Sequence, residues 1–163
     1  MFLKNYTSDV PISQTIYRIE QVLIKCGVSG ITKEYTAAGT VTALTFHVKI
    51  EGRGDVAIRL PADVNAAWDA LWLDYVDGDK LNQNGDAVSA WGSRKKKRKI
   101  DFKEQAERTA WKIVQDWVEV QMSMIQTRQA EWVQVFLPYV WDGKRTFYTA
   151  LKDNGFKQLA AGG

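Results

Sequence analysis

The chain has 163 residues, a formal net charge of +3, 45% hydrophobic and 25% charged residues, a composition that excludes a wholly disordered protein. One cysteine, Cys26, excludes an intramolecular disulfide and an all-cysteine zinc site, and one histidine, His47, excludes any multi-histidine metal cluster. No run of about 18 apolar residues spans a membrane, and MFLKNYTSDVPI has no secretory apolar core, so the expected setting is soluble and cytoplasmic.

Ile12, Ile16, Ile19, Leu23 and Cys26 recur at spacings of four and three, which predicts one buried helical face closed by Gly27. Cys26 lies on that face as a small hydrophobe and needs no reactive role. After Gly30 the period becomes two. Ile31, Lys33 and Tyr35 alternate with Thr32, Glu34 and Thr36, and Ala37 to Thr40 reads as a turn. Leu44, Phe46, Val48 and Ile50 then oppose Thr45, His47 and Lys49. Glu51 to Asp55 is a second turn, and Val56, Ile58 and Leu60 mark a third strand. Such short connections imply an antiparallel meander with one apolar face to cover, and the first helix is the nearest element.

Asp63 is placed to cap a second helix carrying Val64, Trp68, Leu71 and Tyr75 on one stripe. Residues 77–93 hold Gly78, Asn82, Asn84, Gly85, Ser89 and Gly92 without periodicity and read as a loop. A long helical pattern follows, opened by Asp101 and Glu104 in the manner of a capping box. Its first apolar row is Ala106, Ala110, Ile113, Trp117, Val120 and Met124, and its second is Trp111, Val114, Val118, Met122 and Ile125. So wide a face implies burial on two sides, against the sheet layer and against another helix or subunit. The pattern either continues to Leu137 or breaks near Thr127, and Pro138 stops it. Asp142-Gly143 is a turn, and Thr146 to Lys152 is a short closing helix stopped at Asn154-Gly155.

The expected fold class is therefore α+β in a single domain over 1–163: a helix–three strands–helix half at 11–76, a flexible basic loop at 77–100 and a helical half at 101–157.

The loop ends in six consecutive cations, Arg94, Lys95, Lys96, Lys97, Arg98 and Lys99. Subtracting them from the net charge of +3 leaves −3 for the rest of the chain, so the basicity is local. A concentrated positive segment attracts phosphates in a salt-dependent, largely sequence-independent way. Trp91, just before it, offers a stacking surface for an exposed base.

Other chemistries find less support. The helix–three strands–helix order resembles the double-stranded RNA-binding domain, yet the second helix opens Pro61-Ala62-Asp63-Val64-Asn65, without the lysine cluster that family uses on phosphates. The order also resembles the restriction-endonuclease-like core, but the third strand, Val56-Ala57-Ile58-Arg59-Leu60, lacks the metal-holding carboxylate. Gly52-Arg53-Gly54 has neither Rossmann nor P-loop spacing. The acid pairs Glu104/Glu107 and Asp116/Glu119 are ordinary for solvated helix faces. A serine triad would rest on His47 alone. No catalytic residue, metal ligand or cofactor is assigned.

Across Thr15-Ile16, Glu34-Tyr35, Val41 to Phe46, Arg59 to Pro61, Glu104 to Lys112, Asp116 to Glu119 and Val135 to Tyr139, the chain resembles a group of small uncharacterised bacteriophage and prophage proteins. That resemblance implies an accessory protein in a bacterial cytoplasm and assigns no activity. The leading expectation is a non-enzymatic protein that binds DNA or RNA through its basic loop. The alternative is a counter-defence protein that sequesters an anionic nucleotide or inhibits a host defence protein, as a homo-oligomer through the Trp-rich long helix.

Overall fold

The computed structural model describes residues 2–83 and 97–159. Among the described residues the architecture is α+β, with five helices and a three-stranded antiparallel sheet: α1 (Ile12–Lys25), β1 (Gly30–Tyr35), β2 (Val41–Ile50), β3 (Gly54–Arg59), α2 (Val64–Gln83), α3 (Lys103–Gln126), α4 (Trp132–Phe136) and α5 (Phe147–Asp153). A 3-10 turn, Lys99–Phe102, leads into α3. The element order is the one expected from the sequence. The chain forms two compact units, each built from two separate stretches: residues 1–16 with 62–115, and residues 17–61 with 116–163.

In the first unit, α2 and the first half of α3 carry a core of Ala67, Leu71, Ala106 and Ala110, against which Leu3, Val64, Trp68 and Phe102 pack. Three of the four core residues are alanines, and the larger side chains pack around them. Asp63 caps α2 as expected, its Oδ1 accepting the Ala66 N–H at 2.9 Å. The N-terminal segment is tied to α3 where Gln105 Nε2 donates to the Ser8 carbonyl at 3.2 Å and Thr109 Oγ1 donates to the Asn5 carbonyl at 3.2 Å.

Helix α2 runs to Gln83, past the loop boundary expected at residue 77. A single glycine, Gly78, costs a helix about 1 kcal/mol relative to alanine, too little to stop one already nucleated. Thr15 is fully buried, and its hydroxyl has no hydrogen-bond partner among the described residues. Valine has nearly the same shape without the hydroxyl, so Thr15→Val should stabilise the protein by about 1 kcal/mol, read as a raised denaturation midpoint. A lower midpoint would mean that the hydroxyl is satisfied after all.

In the second unit the sheet order is β1-β2-β3. The register pairs Ile31 with Phe46 and Phe46 with Ile58 across all three strands. Leu44, Phe46, Val48 and Ile58 are buried, which makes this the core face as the alternation predicts. The Phe46 ring meets Phe136 edge-on at 5.3 Å and Trp132 at 6.2 Å. Trp117 of α3 in turn meets Phe136 at 5.5 Å and Tyr139 at 5.2 Å. Helix α1 is tied to β1 by Lys33 Nζ on Glu20 at 2.5 Å, and Gly27, at φ +84°, closes it in the left-handed region. The β2–β3 turn uses the same device twice, with Gly52 at φ +76° and Gly54 at φ +80°.

The opposite sheet face departs from simple alternation, because Ala43 and Thr45 are also buried. Thr45 pairs with Arg59, and Ala43 pairs with Glu34. Arg59 reaches across β2 to grip Glu34 with both ends of its fork, at 2.8 and 2.9 Å, and so roofs the two small residues between them. The guanidinium holds the Glu34 carboxyl below its ordinary range and is itself raised by it. A carboxylate with a lowered folded-state pKa stabilises the fold above its ordinary titration range, and that contribution disappears as pH falls through the lowered value. Glu34→Gln should therefore be less stable than the parent at neutral pH, with the gap closing below about pH 4. Denaturation midpoints measured at several pH values test this, and a gap that persists in acid would reject it.

The long helical pattern ends at Gln126, so the break falls near Thr127, and α4 and a 3-10 turn holding Pro138 follow separately. Both apolar rows of α3 are used, but the centre of burial lies on the second. Trp111, Val114, Val118 and Met122 are buried, whereas Val120 of the first row is exposed. Three- and four-residue spacings both fit a wide stripe, and only the packing partners decide its centre. At the closing helix, Thr146 caps α5 by accepting the Thr149 N–H.

Candidate nucleic-acid interface

Of the residues expected to contact phosphate, Lys97, Arg98 and Lys99 are described; Trp91, Arg94, Lys95 and Lys96 lie outside the described residues. Lys97 and Lys99 sit against an aromatic platform formed by α2 and Phe102. Trp72 stacks on Tyr75 at 5.7 Å, and both rings meet Phe102, at 6.2 and 5.2 Å. Trp68, one turn earlier, completes the row, because positions three and four apart share a helix face. The sequence placed Trp68 and Tyr75 on one stripe and missed Trp72, whose four-residue step from Trp68 was the available signal.

The platform grips the end of the basic run by its backbone. The Lys97 N–H donates to the Tyr75 hydroxyl at 3.0 Å, and Trp68 Nε1 donates to the Lys99 carbonyl at 2.6 Å. The side chains are engaged to different degrees. Lys99 Nζ pairs with Asp69 and lies 5.3 Å from the centre of the Trp68 ring. Lys97 Nζ lies 5.4 Å from the centre of the Phe102 ring. The Arg98 guanidinium is 3.4 Å from Asp101 Oδ1, and its side chain is 80% exposed.

Asp101 acts one turn earlier than the sequence implied. Its Oδ2 accepts the Arg98 N–H at 2.8 Å, so it closes the 3-10 turn, and α3 proper begins at Lys103. Glu104 accepts from Arg108 at 2.5 Å, an exposed helical pair.

His47 enters a polar cluster whose order does not suit nucleophilic catalysis. Ser29 Oγ donates to Asp55 Oδ1 at 2.7 Å, and His47 Nδ1 lies 3.6 Å from Asp55 Oδ2. The carboxylate therefore stands between hydroxyl and imidazole, whereas a serine nucleophile needs the imidazole in the middle to take its proton. The Ser29 hydroxyl also lies 3.0 Å from the His47 carbonyl, where it secures the start of β1 against β2. Among the described residues no three His, Cys, Asp or Glu side chains gather as a metal would require, and no helix is long and apolar enough to cross a membrane. Burial raises the Cys26 thiol pKa, which disfavours the thiolate. The two tryptophans of α3 lie within the fold, Trp111 fully buried and Trp117 against Phe136 and Tyr139.

Comparison with protein-family models, with curated proteins and with solved structures returns no match.

Proposed function

We propose that the chain is a non-enzymatic nucleic-acid-binding protein whose basic run, Arg94 to Lys99, contacts the phosphates of DNA or RNA without reading their sequence. The observation that carries this reading is the concentration of charge: six consecutive cations on a chain whose remainder sums to −3. Attraction to a polyanion is then focused on one segment, and the remainder repels it. The grip of Trp68 and Tyr75 on the backbone of Lys97 and Lys99 supports the same reading, because it tethers the run at one end at a defined place on the first unit. A phage accessory role in a bacterial host belongs to this proposal as its setting.

Titration of the purified chain with single- and double-stranded DNA and RNA at two salt concentrations tests it. The expected result is binding that weakens steeply with salt, and loss of most of that binding when all six cations become Gln. Unchanged affinity in that variant would defeat the reading.

A further inference from the structure

The second unit carries a cationic cleft built from its own residues. After Pro138 the chain returns to the open edge of the sheet, where the Trp141 N–H donates to the Ala57 carbonyl of β3 at 2.8 Å. It then folds back on itself. The Asp142 carboxylate accepts the N–H groups of Lys144 and Arg145, both at 2.8 Å, and Gly143, at φ +99°, makes the turn. Those two N–H bonds also hold the Asp142 carboxyl below its ordinary range. Lys144 and Arg145 are thereby mounted on a closed turn beside Arg59.

The resulting cleft has a volume of about 390 Å³, within the range of small-ligand sites, and is lined chiefly by Arg59, Tyr139, Trp141, Lys144, Arg145 and Tyr148. Among the described residues, no carboxylate lines it. The Arg59 guanidinium lies 4.4 Å from the centre of the Trp141 ring and is held in place by Glu34. Glu34 occupies two of its five N–H donors, and Asp153 occupies one on Arg145, so both guanidinium groups retain donors. Such pre-placed donors lose little conformational freedom on meeting an anion. Rings beside them offer stacking area for a flat group. Thr146 and Thr149 add hydroxyls at the wall.

We propose that this cleft binds a nucleotide: an aromatic base placed against the Trp141 and Tyr148 side, with its phosphate held by Lys144, Arg145 and Arg59. The same chemistry is offered by a free nucleotide and by the phosphorylated end of a strand. Neither depends on the basic run.

The test is an NMR titration of the labelled full-length chain with adenosine 5′-monophosphate. Saturable shifts of the Trp141 indole and of the amides of residues 144–149 are expected, with a Kd below about 1 mM; adenosine alone and inorganic phosphate alone should bind at least about tenfold more weakly. Lys144 is exposed on its turn, so Lys144→Glu should weaken the nucleotide about tenfold while leaving the remaining spectrum unchanged. A 5′-phosphorylated trinucleotide separates the sources: tighter binding than the monophosphate assigns a strand end, and equal or weaker binding assigns the free nucleotide. The variant with all six of Arg94 to Lys99 changed to Gln should bind the monophosphate as tightly as the parent; a parallel loss would trace the signal to the basic run and overturn the cleft. An unmoved Trp141 indole at about 10 mM nucleotide, or equal affinity for adenosine and its monophosphate, would overturn it as well.

Discussion

Phe46→Ala is expected to cost about 3–5 kcal/mol, the largest loss of stability from any single change considered. Phe46 sits on the central strand with no exposure, paired to Ile31 on one side and to Ile58 on the other. Its ring is also the meeting point for Phe136 and Trp132, so truncation removes apolar burial and two aromatic contacts and leaves a cavity that three strands cannot close. Against a typical stability of about 5–15 kcal/mol for a small protein, that loss is about a fifth of the total or more. Chemical denaturation followed through the Trp132 and Trp117 indole signals measures it. Phe46→Leu keeps most of the volume and should cost about 1–1.5 kcal/mol. Should Phe46→Ala shift the midpoint no more than Phe46→Leu does, the aromatic cluster is not the keystone of the second unit.

The salt dependence of nucleic-acid binding should be unequal along the basic run. On duplex DNA each phosphate neutralised contributes about 0.9 to the slope of log K against log salt, so changing Arg94, Lys95 and Lys96 together to Gln should flatten the slope by about 2.7. Lys99→Gln should flatten it by less than about 0.5, because its ammonium is already paired with Asp69 and held over the Trp68 ring. That variant should instead cost the first unit up to about 1 kcal/mol, the worth of an exposed pair. Equal slope changes per cation at both ends would mean that Lys99 leaves Asp69 when phosphate arrives, and the platform would then not restrain the run.

The strand period, the turns and the cap that opens α2 were legible in residue order because each rests on local chemistry, whereas the end of α2 and the start of α3 were not. Gly27, Gly52 and Gly143 occupy left-handed conformations that other residues resist, and Asp63 and Thr146 supply cap oxygens within three residues of the N–H groups they accept. The charge of the basic run is equally local and was read without a structure. Its surroundings were not. Asp69 lies 30 positions from Lys99 in sequence and Tyr75 lies 22 from Lys97, and no periodicity links such pairs. The same holds for Arg59 and Glu34, 25 apart, whose bridge buries Thr45 on a sheet face that alternation assigned to solvent.

The sequence by itself thus determined the α+β order, the caps and turns, and one focused positive segment, since these depend on neighbours within a few residues. Only the tertiary structure decided which cations are already paired, which apolar row of α3 is central, and that Arg59, Trp141, Lys144 and Arg145 meet around one cleft. Those outcomes depend on contacts between distant residues, and their geometry comes from packing rather than from any spacing along the chain.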